Sequence, residues 1–416
     1  MSWREVHLGQ GIHVKHGFAF KGEHFADAGT YMVLTPGNFF ERGGFRVRDG
    51  KERYYLADFP EEFLLAKGDL IVAMTEQGEG LLGSAARIPD DGKYLHNQRL
   101  GLVQVTDPAL FDKRFLYWVF NSAGVRAQLR ATATGAKVKH TAPERIRKVR
   151  LVVPDVSGQQ AIASTLDVYD DLIATNQRRI ALLEDAARRL YREWFVHLRF
   201  PGHESVPVKD GVPQGWLKTS IEKQTAFLNR GIAPAYDDAA TGWVINQKCI
   251  RDGRLSMSPA RRQSKEVKPD RLVRIGDVLI NSTGAGTLGR VAQVRSAIES
   301  CTVDTHVTIA RPIDEACFAY FGQALLDLEP RFSDMGKGAT NQLELSRSDI
   351  GAVEIWQPPP SLLAEFQRLV WPMIEQAEQL HRTNLSLAKA RDFLLPKLMS
   401  GQLDVSGIRL PEEAAA

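Results

Sequence analysis

The chain has 416 residues, 44% hydrophobic and 25% charged, with a net charge of +3. That length exceeds one ordinary core and predicts two or more globular domains. No apolar run suits a membrane span, "MSWREVHLGQ" lacks an apolar signal core, and Cys249, Cys301 and Cys317 are too scattered for a disulfide framework or a thiolate metal site. The expected setting is therefore reducing and cytoplasmic.

In chain order, residues 1–153 read as short strands, Gly and Asn turns and a few helices, an α+β unit. Its end is basic: Arg126 to Arg150 holds eight Lys/Arg against Glu144 alone. Residues 154–200 then carry a helical pattern from Ser157, a plausible N-cap, to about His197. Its seam falls at Ile162, Leu166, Tyr169, Ile173, Asn176, Ile180, Leu183, Ala187, Leu190 and Trp194, alternating steps of four and three as a heptad requires. The Pro- and Gly-rich "RFPGHESVPVKDGVPQGW" reads as a linker. A second α+β unit follows within residues 201–355, and Lys248 to Arg274 holds nine Lys/Arg against three acids. Residues 356–405 give a second seam: Phe366, Val370, Met373, Ala377, Leu380, Asn384, Leu387, Arg391, Leu394 and Leu398. Pro372 is expected to kink or restart that helix. Residues 406–416 form a tail. Two similar helices most simply pair with each other, and antiparallel pairing would hold the two units apart.

The order of unit and helix is a duplication. "GDLIVAMTEQGEGLLG" (68–83) answers "GDVLINSTGAGTLG" (276–289), so G-x-G-x-x-G occurs twice, at Gly78, Gly80, Gly83 and at Gly284, Gly286, Gly289. That spacing is a dinucleotide fingerprint only when it opens a helix. Here it leads into "SAARI" and "RVAQV", alternating runs that suit strands, so both copies read as strand, glycine turn, strand. A basic cluster can bind a polyanion. Catalytic signatures are missing: no phosphate-binding G-x-x-x-x-G-K-[ST], no H-E-x-x-H and no C-x-x-C. Glu266 and Lys268 make only half of a nuclease acid–lysine motif, "QPPP" at 357–360 lacks the residues of an adenine methyltransferase loop, and His306 reads as a structural or contact histidine.

Taken together, "LYREWFVHLRFPGHE" (190–204), "GIAPAYDDAATGWVINQKCIRDGRL" (231–255), "GDVLINSTGAGTLGRV" (276–291), "VDTHVTIARP" (303–312) and "RDFLLPKLMSGQLDV" (391–405) resemble the specificity subunits of Type I restriction–modification systems. The likeness covers nearly the whole chain. The first copy departs from it: its glycine loop is longer, and "HNQRLGLVQV" stands where the second has "VDTHVTIARP". The resemblance implies two target-recognition domains separated by two long antiparallel coiled-coil helices, a phage-defence protein reading an asymmetric bipartite site on double-stranded DNA. It implies no catalysis here. Two modification subunits would bring S-adenosylmethionine and methylate adenine N6, and restriction subunits would use ATP and magnesium. The competing classes are a coiled-coil scaffold and a standalone DNA-modifying enzyme. Under the resemblance, Arg42, Arg46, Arg48, Lys137 and Lys139 in the first unit, and Lys248, Arg251, Arg254, Arg261 and Arg262 in the second, are expected on phosphates. Gln77, Asn281, Thr283, Thr340, Asn341 and Gln342, in glycine-bounded loops, are expected to read bases.

Overall fold

Leu70–Ala73 and Val278–Asn281 are four-residue strands in which every side chain is buried. Successive strand residues face opposite sides of a sheet, so such a run must be covered on both faces. The computed structural model, which describes residues 2–48, 50–76, 80–336 and 343–405, shows this arrangement. Leu70 and Val72 enter one core with Phe115, Leu116 and Val119 of the helix Lys113–Asn121. Ile71 and Ala73 enter a second core with Leu34, Phe39 and Tyr94. In the second copy Val278 and Ile280 pack with Tyr320, Phe321 and Leu325, and Leu279 packs with Ile245, Ile250 and Val303. Each Val, Leu, Ile or Phe among these contributes roughly 1.5–3 kcal/mol on burial.

The chain is α+β and divides into two units: Met1–Ile173 with Leu385–Ala416, and Ala174–Asn384. Their sheets repeat. The first unit orders its four-stranded sheet Ile12–His16, Leu100–Val105, Leu70–Ala73, Ala85–Arg87; the second orders it Thr225–Arg230, Val307–Pro312, Val278–Asn281, Val291–Gln293. A second sheet in each contains one parallel pair, Tyr31–Val33 with Tyr94–Leu95 and Gly242–Ile245 with Cys301–Val303. Each unit also pairs its opening and closing strands, Trp3–His7 with Arg150–Pro154 and Leu217–Ser220 with Glu354–Gln357.

The long helices span Val156–Tyr191, extended by a π-helical turn at Arg192–Val196, and Pro360–Met399. Both cross the division between the units, the first after Ile173 and the second after Asn384. Their partnership is antiparallel within each unit. In the first unit Ile162 and Leu166 share a core with Leu394 and Leu398, and Asp170 pairs with Arg391. In the second, Asn176 Nδ2 donates to Asn384 Oδ1 at 2.9 Å, and Trp194 and Phe195 pack with Phe366 and Val370. The remaining seam residues Tyr169, Ile173, Leu183, Leu190, Met373, Leu380 and Leu387 are half-buried, and Ile180, Ala187 and Ala377 are buried.

Three expectations about these segments are corrected. Asp155, not Ser157, caps the first helix: its carboxylate accepts from Gly158 N at 2.9 Å and from the Ser157 hydroxyl at 3.1 Å. The second helix is continuous through Pro372 and does not restart there. Proline frees the carbonyl four residues earlier, but Arg368 and Pro372 lie on the exposed side while Val370 and Ile374 are held in the core. The Pro/Gly-rich segment is not a free linker. Phe200 and Trp216 are buried with ring centroids 5.3 Å apart, and Val208–Lys209 pairs with Val212–Pro213 around an Asp210-Gly211 turn of positive φ. The tail, 406–416, lies outside the described residues.

Candidate nucleic-acid interface

The glycine motifs close β-hairpins, not helix N-termini. Val278–Asn281 pairs antiparallel with Val291–Gln293, and Leu70–Ala73 with Ala85–Arg87. Gly284, Gly286 and Gly289 have φ of +107°, +70° and +78°, a region that costs other residues energy. A Cβ on Gly289 would lie 2.3 Å from Ser333 N, so this turn also needs the close approach of a neighbouring backbone. Among the described residues of these turns, no helix amides point at a pyrophosphate position.

Three segments meet at the end of each four-stranded sheet. In the first unit, Met74 N donates to Arg99 O at 3.0 Å and Thr141 N donates to Met74 O at 2.9 Å. The glycine hairpin thus lies between the turn 97–99 and the basic segment ending at Lys139–His140, which pairs with Thr75–Glu76. In the second unit, Ser282 N donates to His306 O at 2.8 Å and Leu345 N donates to Ser282 O at 2.9 Å. The two copies make the same three-segment junction.

The loops are held by different chemistry. The buried Glu76 carboxylate accepts from the amides of Gly80, Leu81 and Leu82 at 3.1, 2.9 and 2.8 Å. Arg126 donates to the Glu41 and Gly80 carbonyls, and burial pulls its pKa down. In the second unit Asn281 has that organising role. It is fully buried, and its Nδ2 donates to Gln247 O at 3.0 Å and Thr287 O at 3.1 Å. The expectation that Asn281 reads bases is therefore corrected: it shapes the loop and does not reach solvent. Thr283, half-buried, shares a hydrogen bond of 2.7 Å with His306 Nδ1. Gln77, Thr340, Asn341 and Gln342 lie outside the described residues.

Most of the expected cations are exposed. Lys137, Lys139 and Lys248 project from exposed positions beside the junctions, and Arg251 lies 3.4 Å from Asp252. Arg261 and Arg262 stack on aromatic rings, 3.6 Å over Tyr236 and 3.7 Å over Trp243, and Arg262 also donates to Thr241 O. Such stacking fixes a guanidinium while leaving edge donors for an anion. In the first unit Arg46 donates to Gly37 O at 2.9 Å, Arg48 is half-buried, and Arg42 pairs with Asp392 at 2.7 Å. Arg254 is a correction. It donates to Glu184 Oε2 at 2.6 Å, while the largely buried Arg295 donates to Oε1 at 2.6 Å. Burial works to raise the Glu184 pKa, but the two guanidiniums outweigh it and hold it down. Arg254 thus anchors its hairpin to the first long helix. Among the described residues the expectations passed over Gln98, Arg99 and Thr305, all exposed on the turns beside the glycine hairpins. The signal that finds them is the repeat register itself, which sets "HNQR" against "VDTH".

Residues 2–185 match the family model described as the Type I restriction modification DNA specificity domain. The chain is similar to the Type I restriction enzyme MjaIX specificity subunit of Methanocaldococcus jannaschii, 25% identical over 301 residues, 70% of this chain and 69% of the relative. Its fold is similar to the crystal structure of the Type I restriction–modification system S subunit from M. genitalium, with TM-score 0.63 and 15% identity, covering 95% of this chain and 96% of that one.

Proposed function

We infer that this chain is a specificity subunit of a Type I restriction–modification system, the non-catalytic part that recognises DNA and directs the complex to it. The family match over residues 2–185 carries this reading, and the repeated three-segment junction extends it to the second unit. Each unit reads one half of a bipartite site, and their unlike loops make that site asymmetric. Lys248, Arg251, Arg261 and Arg262 hold phosphates in one half, and Arg42, Arg46, Arg48, Lys137 and Lys139 hold them in the other. Thr283, with Gln77, Thr340, Asn341 and Gln342, contacts bases.

The chemistry belongs to the partners. Two modification subunits carry S-adenosylmethionine and methylate adenine N6, a reaction that needs the base out of the duplex. Restriction subunits carry ATP and magnesium and act on unmodified DNA. No helix among the described residues is long and apolar enough to cross a membrane, and the complex works on cytoplasmic DNA. The test is binding of the assembled complex to duplex DNA over a range of salt. Replacing Arg261 and Arg262 with Ala should weaken binding alike for all sequences and shallow the salt slope by roughly one unit per lost contact. A changed base preference at unchanged slope contradicts the phosphate assignment, and wild-type complex without salt-sensitive DNA binding contradicts the function.

A further inference from the structure

The hydrogen bonds of the two units match at one position of the repeat where the side chains differ. In the first unit the Asn97 side chain accepts from Arg99 N at 2.9 Å, and Arg99 O accepts from Met74 N at 3.0 Å. In the second, the Asp304 side chain accepts from His306 N at 2.9 Å, and His306 O accepts from Ser282 N at 2.8 Å. The turn start is matched too: Asn97 bridges in parallel to Phe18, and Asp304 to Ile232. Arg99 and His306 are thus equivalent residues, held by the same backbone against the same hairpin, with unlike side chains.

We propose that Arg99 and His306 are base-reading residues of their respective units, and that the difference between them helps give the two halves of the DNA site different sequences. This rests on the reading of the chain as a DNA specificity subunit and assigns positions within it. Both side chains are exposed on the turn beside the glycine hairpin; the Lys139 segment pairs with that hairpin in one unit, and Gln247, next to Lys248, accepts from it in the other. Among the described residues the Arg99 guanidinium has no partner, and its fork matches the O6 and N7 of guanine. The His306 ring has Nδ1 committed to Thr283 Oγ1 at 2.7 Å, which leaves Nε2 as one outward hydrogen-bonding atom and fixes the ring plane. A fixed backbone turn that presents unlike side chains at one position gives base discrimination its frame.

The experiment is single-molecule sequencing of methylated DNA from cells carrying the full complex with wild-type chain, Arg99→Gln or His306→Gln. Each variant should relax one position of one half-motif, raising methylation of sites with the wrong base roughly 5- to 150-fold relative to the correct site. The two variants should affect opposite halves, and the untouched half reports that the chain folds and assembles. Uniform loss at all sites with an unchanged motif, or an unchanged methylome, overturns the proposal. Should Arg99→Gln leave no methylation, DNA binding by that complex decides: a relaxed preference at one position of one half supports base reading, and equal weakening for all sequences contradicts it. A wild-type complex that yields no split motif refutes the specificity-subunit reading itself, and this proposal with it.

Discussion

His96 shows how one residue ties the first unit's fold to pH. It is fully buried, its Nε2 lies 2.9 Å from Leu100 O and so donates, and its Nδ1 has no partner among the described residues. Burial outweighs that hydrogen bond and lowers its pKa from 6.5 to about 4. Below pH 6.5 the unfolded chain takes up a proton that the folded chain resists. Stability should therefore fall by about 3 kcal/mol between pH 6.5 and pH 4, then lose this dependence once both states are protonated. Urea unfolding across that window should show a steeper pH dependence for wild type than for His96→Leu, and parallel curves would refute this account. Legibility at this scale was uneven. Lys139 and Lys248 are exposed, as long cationic side chains without a buried partner are expected to be. Asn281 and Arg254 did not follow the expectation. Composition cannot show that an Asn near a glycine turn is buried between two carbonyls, or that an Arg faces Glu184 seventy residues away in the chain.

Among the elements, the long helices were the most legible, since a heptad seam is periodic and needs no knowledge of the partner. The Asn176–Asn384 hydrogen bond supplies a test of register. Replacing either Asn with Leu leaves the other amide facing an apolar side chain and should cost about 1–3 kcal/mol. Replacing both should cost much less than the sum, because the unmatched polar group is gone. Thermal unfolding of the four proteins in the cycle should give a coupling of at least about 1 kcal/mol; additive losses would show that the two amides do not act as a pair. The helix ends and breaks were less legible. The restart expected at Pro372 does not occur, because the cost of proline depends on whether the freed carbonyl meets solvent. Proline and glycine content suggested a linker at 199–216, and the burial of Phe200 and Trp216 outweighed that signal.

For the whole molecule, the duplication was the decisive sequence feature. The two four-stranded sheets share strand order, and each glycine fingerprint is a hairpin, as the alternating runs after it required. The motifs that carried the resemblance lie mostly in the second half, yet the family model matches residues 2–185. The first copy keeps the fold where its loop sequence departs. Two units with one scaffold and different loops should be separable in function. Exchanging residues 205–355 for those of a relative with another specificity should change one half of the recognised site and leave the other intact. A change in both halves, or in neither, would show that the units do not read independently. The most direct measurement of the central claim is single-molecule sequencing of genomic DNA from a host with and without this gene, its partner subunits being present in both. The account predicts that N6-methyladenine marks one motif split into two short halves by a non-specific gap, and that the marks vanish with the gene. Methylation that persists at that motif without the gene, or no split motif in its presence, would contradict it.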